Sequence, residues 1–183
     1  MSYDASMIKE LKHRAARIRW LSLKTTAEAG SGHPTSCCSA AEILAALFFR
    51  VMRYDPKNPA SHANDRLVMS KGHAAPILYA VLAHAGYFPR EQLMSLRKLG
   101  SPLEGHPNMR RLPGVEASTG SLGQGLSIGL GHARFQIQPA ERGMAPLVGQ
   151  HVLEQLLDQQ TTQSNPFVFV AAQSISSYFM SHF

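Results

Sequence analysis

Glycine precedes histidine at four places in this chain, and three of them read as loops: Gly32-His33-Pro34, Lys71-Gly72-His73 and Gly105-His106-Pro107. A glycine-rich run, Thr119-Gly120-Ser121-Leu122-Gly123-Gln124-Gly125, follows close behind. Glycine lets a backbone approach a ligand closely or adopt positive φ. Histidine is the side chain most easily poised for proton transfer near neutral pH. Three such pairs within about seventy-five residues look like several loops converging on one place. That place reads as a site for a polar ligand.

The patterns between the loops are mostly helical. Met7, Ile8, Leu11, Ala15 and Ile18 recur at helical spacing and predict a helix over about 5–28, closed by Gly30 and Gly32. Ser39 and Glu42 have the spacing of a capping box and predict a helix start there, with Ile43, Leu44, Leu47, Phe48 and Val51 behind it. Arg66 to Ser70 reads as a short buried strand running into Gly72-His73. Pro76 opens a helix with Ile77, Leu78, Val81 and Leu82 inward, and Pro89 opens another through Leu93, Leu96 and Leu99. Residues 100–116 form a loop around His106, and the glycine run leads into a helix near 126–133.

Composition bounds the setting. The formal charge is +6, with a basic cluster at Lys9, Lys12, Arg14, Arg17 and Arg19. These residues fit the solvated side of an amphipathic helix. No aromatic interleaving or nucleic-acid motif accompanies them, so no nucleic-acid partner is expected. The surplus would steer anionic ligands inward. There is no uninterrupted apolar run of about 18 residues, so no membrane span is expected. Adjacent Cys37 and Cys38 cannot bridge each other in the ordinary way, and a reducing, cytoplasmic location is expected. Glutamine changes abruptly after Ala133, from two residues before it to eight after. The chain therefore divides into 1–133 and a divergent tail, 134–183, with one candidate helix at 148–159 and one apolar run at 167–172.

The motifs leave more than one chemistry open. Gly120, Gly123, Gly125 and Gly129 do not fit G-x-G-x-x-G, and no Lys-Ser/Thr follows to make a P-loop. They suit a tight loop-to-helix entry as well as a ligand cradle. His33, His73 and His106 lack the short local spacing of a zinc site, and no metal residue is assigned. Three glycine-linked imidazoles favour proton transfer and oxygen recognition.

Taken in order, the motifs resemble one family. They are Ala29-Gly30-Ser31-Gly32-His33-Pro34 through Ser36 to Glu42, then Asn64-Asp65-Arg66, then Ser70-Lys71-Gly72-His73-Ala74-Ala75-Pro76. Leu103-Glu104-Gly105-His106-Pro107 and Ala117 through Gly125 complete the set. The stretch up to Ala133 is similar to the start of transketolase, and the tail is not. The resemblance implies an α/β fold: a partial thiamine-diphosphate-binding domain, helices packed on a short parallel sheet. It implies transfer of a two-carbon ketol unit from a ketose phosphate to an aldose phosphate with thiamine diphosphate. His33 and His106 would then meet the donor's hydroxyls and the reacting centre, and His73 the diphosphate. Ser36 would lie beside cofactor or substrate, and Gly120, Ser121 and Leu122 would hold the aminopyrimidine. His33, His73, His106 and Leu122 should therefore share one edge of the core and line one concavity.

The departures weigh equally. The family binds Mg²⁺ through a Gly-Asp-Gly motif and a downstream asparagine, and no Gly-Asp-Gly occurs in this chain. The family's second domain, which supplies the activating glutamate and normally comes from a partner chain, is also absent. A truncated, frameshift-derived or association-only remnant is the alternative reading. A homodimer, or a chain supplying the second domain, is the expected partner.

Overall fold

The computed structural model describes residues 4–136 and 168–171. Helix α1, Ala5–Ala29, begins where the Asp4 carboxylate accepts the Ser6 N–H at 3.2 Å. It ends at Gly30, whose φ of 58° lets its N–H reach back to the Thr26 and Ala27 carbonyls. Ala15, Ile18, Leu21, Ser22 and Thr25 form its buried stripe. Ile8 falls at the exposed N-terminal end of that spacing.

Helix α2, Pro34–Ala46, starts earlier than the capping-box spacing predicts. Pro34 occupies the first turn, where its missing N–H costs nothing. Ser39 is consequently inside the helix, and its hydroxyl donates to the Ser36 carbonyl at 3.0 Å. Glu42 pairs instead with Arg19 of α1. A π-helical turn, Leu47–Val51, extends α2. Pro34–Val51 spans 18 residues at a mean hydropathy of 1.2, long and apolar enough to cross a membrane by length and composition alone. Glu42 and Arg50 interrupt it, while Cys37, Ala41, Leu44 and Phe48 are buried in the core. That is the pattern of a helix with one face packed in the core and the other outside it. Burial pushes the Cys37 thiol up to about 11, so it packs as a small unreactive apolar group.

Strand β1, Arg66–Met69, runs through a single 3₁₀ turn, Gly72–Ala74, into helix α3, Ala75–Ala85. Every residue of α3 from Ala75 to Ala83 is buried. A helix apolar on all sides belongs at the centre of a domain, and α3 packs on α1 and α2. Gly86, at φ 97°, closes it. After Pro89 the chain forms a 3₁₀ helix, Arg90–Ser95, in place of the predicted α-helix. Leu93 and Leu96 still plug the core, but Leu99 is fully exposed. Helix α4, Gln124–Gln136, follows the glycine run.

Strand β2, Val168–Ala171, lies parallel to β1, with Arg66 opposite Val168 and Met69 opposite Ala171. Part of the apolar run at 167–172 therefore pairs with the first strand of the chain. A parallel pair requires a long crossover, and here α3 and α4 lie between the strands in sequence. The candidate helix at 148–159 and most of the tail lie outside the described residues.

Candidate active site

The chain leaves β1 at its carboxyl end carrying Ser70, Lys71, Gly72 and His73. Ligands of open α/β sheets bind outside the carboxyl ends of parallel strands. The glycine run is docked over this end by two bonds. The Thr119 hydroxyl donates to the Met69 carbonyl at 2.6 Å, and the Gly125 N–H donates to the Ser70 hydroxyl at 3.2 Å.

Two glycines are required by closeness. A Cβ on Gly72 would run into the Thr119 carbonyl and stand 2.7 Å from the Gly120 nitrogen. A Cβ on Gly125 would enter the space of Ser70. Gly123 is different, because its φ of 90° suits glycine without any neighbour at its Cβ position.

The three histidines arrive on separate elements. His33 is the residue preceding α2, His73 sits in the 3₁₀ turn after β1, and His106 is in the loop after the Arg90–Ser95 helix. The His33 and His73 rings meet edge to face, 5.1 Å between centroids. His73 Nε2 lies 3.0 Å from the Ser36 hydroxyl. The His106 ring lies over Gly120, whose Cβ position is 3.2 Å from His106 Cδ2. Gly72 touches Thr119 and Gly120 in turn, so the three imidazoles and the glycine loop form one continuous surface. His33 and His106 are exposed, and His73 between them is half-buried. Ser121 and Leu122 are exposed at the tip of the loop.

Burial holds the His73 pKa below its usual value, and His33, Lys71 and His106 add to the effect. The ring is therefore neutral near pH 7, with one N–H to give. Ser36 occupies Nε2, so Nδ1 is the ring's other nitrogen. Lys71 adjoins Gly72-His73 in sequence, and its ammonium donates to Ser39 at 3.1 Å. Three imidazoles, one lysine and backbone that glycine leaves open to close approach suit a ligand with phosphate and hydroxyl oxygens.

The expected concavity is a separate matter. A cavity of about 380 Å³ lies beside the site, lined by Arg97, Lys98, Gly105 and Arg111 among others. None of the three histidines lines it. Among the described residues, no three His, Cys, Asp or Glu side chains are grouped to hold a metal ion.

Sequence reasoning missed Ser70 and Thr119, the two side chains that fix the glycine loop. A lone hydroxyl in a motif carries no separate signal until its partner is known. It also missed Tyr79, whose hydroxyl reaches the His106 loop from α3.

The family described as the transketolase thiamine diphosphate binding domain matches residues 11–153. The chain belongs to the transketolase family. Transketolase of Pongo abelii is 54% identical over 130 residues, covering 71% of this chain and 21% of that protein. The 6-deoxy-6-sulfo-D-fructose transketolase subunit of Clostridium sp. (strain MSTE9) is 49% identical over 124 residues, covering 68% of this chain and 45% of that subunit. Among solved structures, transketolase from Leishmania mexicana superposes with a TM-score of 0.65 at 35% identity, over 71% of this chain and 21% of that one. Transketolase shares its α/β fold with the described residues. The chain spans about a fifth of the length of its mammalian transketolase relatives.

Proposed function

We propose that this chain forms the opening part of a transketolase-type active site, serving transfer of a two-carbon ketol unit between sugar phosphates. The observation that carries the proposal is the single surface made by His33, His73, His106 and the Gly120–Leu122 loop at the end of β1. The strand pair β1–β2 would be the start of the parallel sheet on which such a domain is built.

The site fits thiamine diphosphate where it can be tested. The close approach of Gly72 to Thr119 and Gly120 leaves backbone where any side chain would intrude. His73, neutral and held by Ser36, offers a nitrogen to a diphosphate oxygen. Gly120, Ser121 and Leu122 would receive the aminopyrimidine along their backbone. The chemistry supplied by the bound cofactor is a carbanion able to carry the two-carbon unit. His33 and His106, both exposed on the same surface, would bind the donor's hydroxyls and move protons at the reacting centre. The nearby Arg97, Lys98 and Arg111 would draw phosphorylated sugars toward it. Mg²⁺ has no grouped ligands among the described residues, and none is assigned to it.

The rest of the reaction would be supplied by groups outside this sequence, such as a chain carrying the second domain. A reducing, cytoplasmic setting is part of the same proposal. The chain of 183 residues should accordingly show no ketol transfer by itself. The assay pairs a ketose phosphate with an aldose phosphate, thiamine diphosphate and Mg²⁺. Background-level product is the expected result. Turnover that His106→Ala abolishes would mean this chain holds a complete active site, and would overturn the division of labour proposed here.

A further inference from the structure

Tyr79 lies in the middle of α3 and is completely buried. An apolar helix would ordinarily hold phenylalanine there, because a buried hydroxyl needs a partner. The Tyr79 hydroxyl has two: it reaches the Glu104 carbonyl at 2.9 Å and the His106 carbonyl at 3.1 Å. One proton is thus shared between two carbonyls that flank Gly105. The other side of that peptide is also occupied. A Cβ on Gly105 would strike the Arg97 guanidinium, so this side chain lies flat against the glycine. Arg97 is itself held in the left-handed region at φ 59°, with its N–H bonded to the Leu103 carbonyl at 2.8 Å. The Glu104–His106 backbone is therefore gripped from inside by Tyr79 and from outside by Arg97. The imidazole it carries is exposed and rests on Gly120.

We propose that Tyr79 is a positioning residue for His106: its buried hydroxyl fixes the peptide from which the exposed imidazole projects, and so sets the contact between that ring and the Gly120–Leu122 loop. The inference rests on the reading of His106 as a group that meets the donor's hydroxyls. Its chemistry is indirect, since the Tyr79 ring lies in the core and its hydroxyl bonds only to backbone oxygens. Burial, with the Glu104 carboxylate adding to it, raises the Tyr79 pKa, so the hydroxyl stays protonated and able to donate.

The test is Tyr79→Phe in the full chain, with isotope-labelled histidines followed by NMR. The phenylalanine ring preserves the core volume and removes only the donor. The expected result is a shift of the His106 ring resonances and loss of the His106 Hδ2 to Gly120 Hα cross-peak. The contact between the His33 and His73 rings, on other elements, should remain. A folded variant whose His106 ring is unmoved would overturn the proposal. So would the simultaneous loss of both ring contacts, since that reports general loosening. Should the variant fail to fold, a ring-fluorinated tyrosine at position 79 keeps the hydroxyl and makes it a stronger donor. His106 should then shift alone, and an unmoved His106 would again overturn the role. Failure of thiamine diphosphate to perturb the unaltered chain would count against the site assignment, and leaves the response of His106 to Tyr79→Phe readable.

Discussion

Gly72→Ala should dismantle the junction between β1 and the glycine loop. The new methyl group would meet the Thr119 carbonyl and the Gly120 nitrogen, and both are backbone. A side chain in that position could rotate away, whereas this backbone is pinned by the Thr119 to Met69 bond. Overpacking of this kind costs about 1–3 kcal/mol, and more where nothing can give. The strain should be relieved by the loop leaving β1, which would also break the Gly125 to Ser70 bond. Urea unfolding should show a loss near the top of that range. Amide exchange in 119–125 should accelerate far more than in α1. Gly30→Ala is the comparison, because no atom lies within 4 Å of its Cβ position, although its φ of 58° carries a smaller cost. A Gly72→Ala chain as stable as the original would show that the loop does not sit where the site requires.

Arg66→Ala should cost about as much by another route. Arg66 and Glu116 are paired at 2.9 Å with little exposure of either side chain. The same guanidinium donates to the Pro59 carbonyl at 3.1 Å and the Ser61 carbonyl at 2.7 Å. It thus ties the start of β1 to the preceding loop and to the segment that leads into the glycine run. Removing one partner of a fully buried pair costs about 3–5 kcal/mol, and the residual exposure of Arg66 and Glu116 places this loss at the lower end of that range. Replacing both residues by apolar ones, Arg66→Met with Glu116→Leu, should recover much of that loss. It should fall short of full recovery, because the two carbonyls lose their donor. Thermal unfolding of the two single variants and the double variant measures each term. Near-additive losses would show that the ion pair contributes little.

Much of this was legible before any coordinates. The helices α1 and α3 follow from apolar spacing, and the end of α1 from Gly30. The strand at 66–69 follows from its short apolar run beside Gly72. Three of the four Gly-His pairs, those in loops, singled out residues that the fold brings to one surface, because glycine and histidine in a loop have few purely structural uses in common; the fourth, Gly131-His132, lies in α4. What sequence could not supply was pairing over distance. Arg66 and Glu116 are fifty residues apart, and nothing local marks either one. β2 pairs with β1 across about a hundred residues. Tyr79 sits in an apolar helix, where an aromatic ring reads as core, and only the position of the His106 loop reveals what its hydroxyl does. Ser39 and Glu42 misled because a capping box is a local pattern. Pro34, with its preset φ, began the helix first and left Ser39 to bond within it.

The central claim is that the surface at the end of β1 takes thiamine diphosphate. The most direct test is titration of the histidine-labelled chain with thiamine diphosphate, read as ring resonances residue by residue. His33, His73 and His106 should move along one saturable curve, with an affinity no tighter than roughly millimolar, since the chain lacks the Gly-Asp-Gly metal motif. Inorganic pyrophosphate should move His73 most. His13 and His84, which lie together near Arg14 and Arg17, should stay fixed. Three unmoved histidines at the end of β1, or movement confined to His13 and His84, would contradict the account.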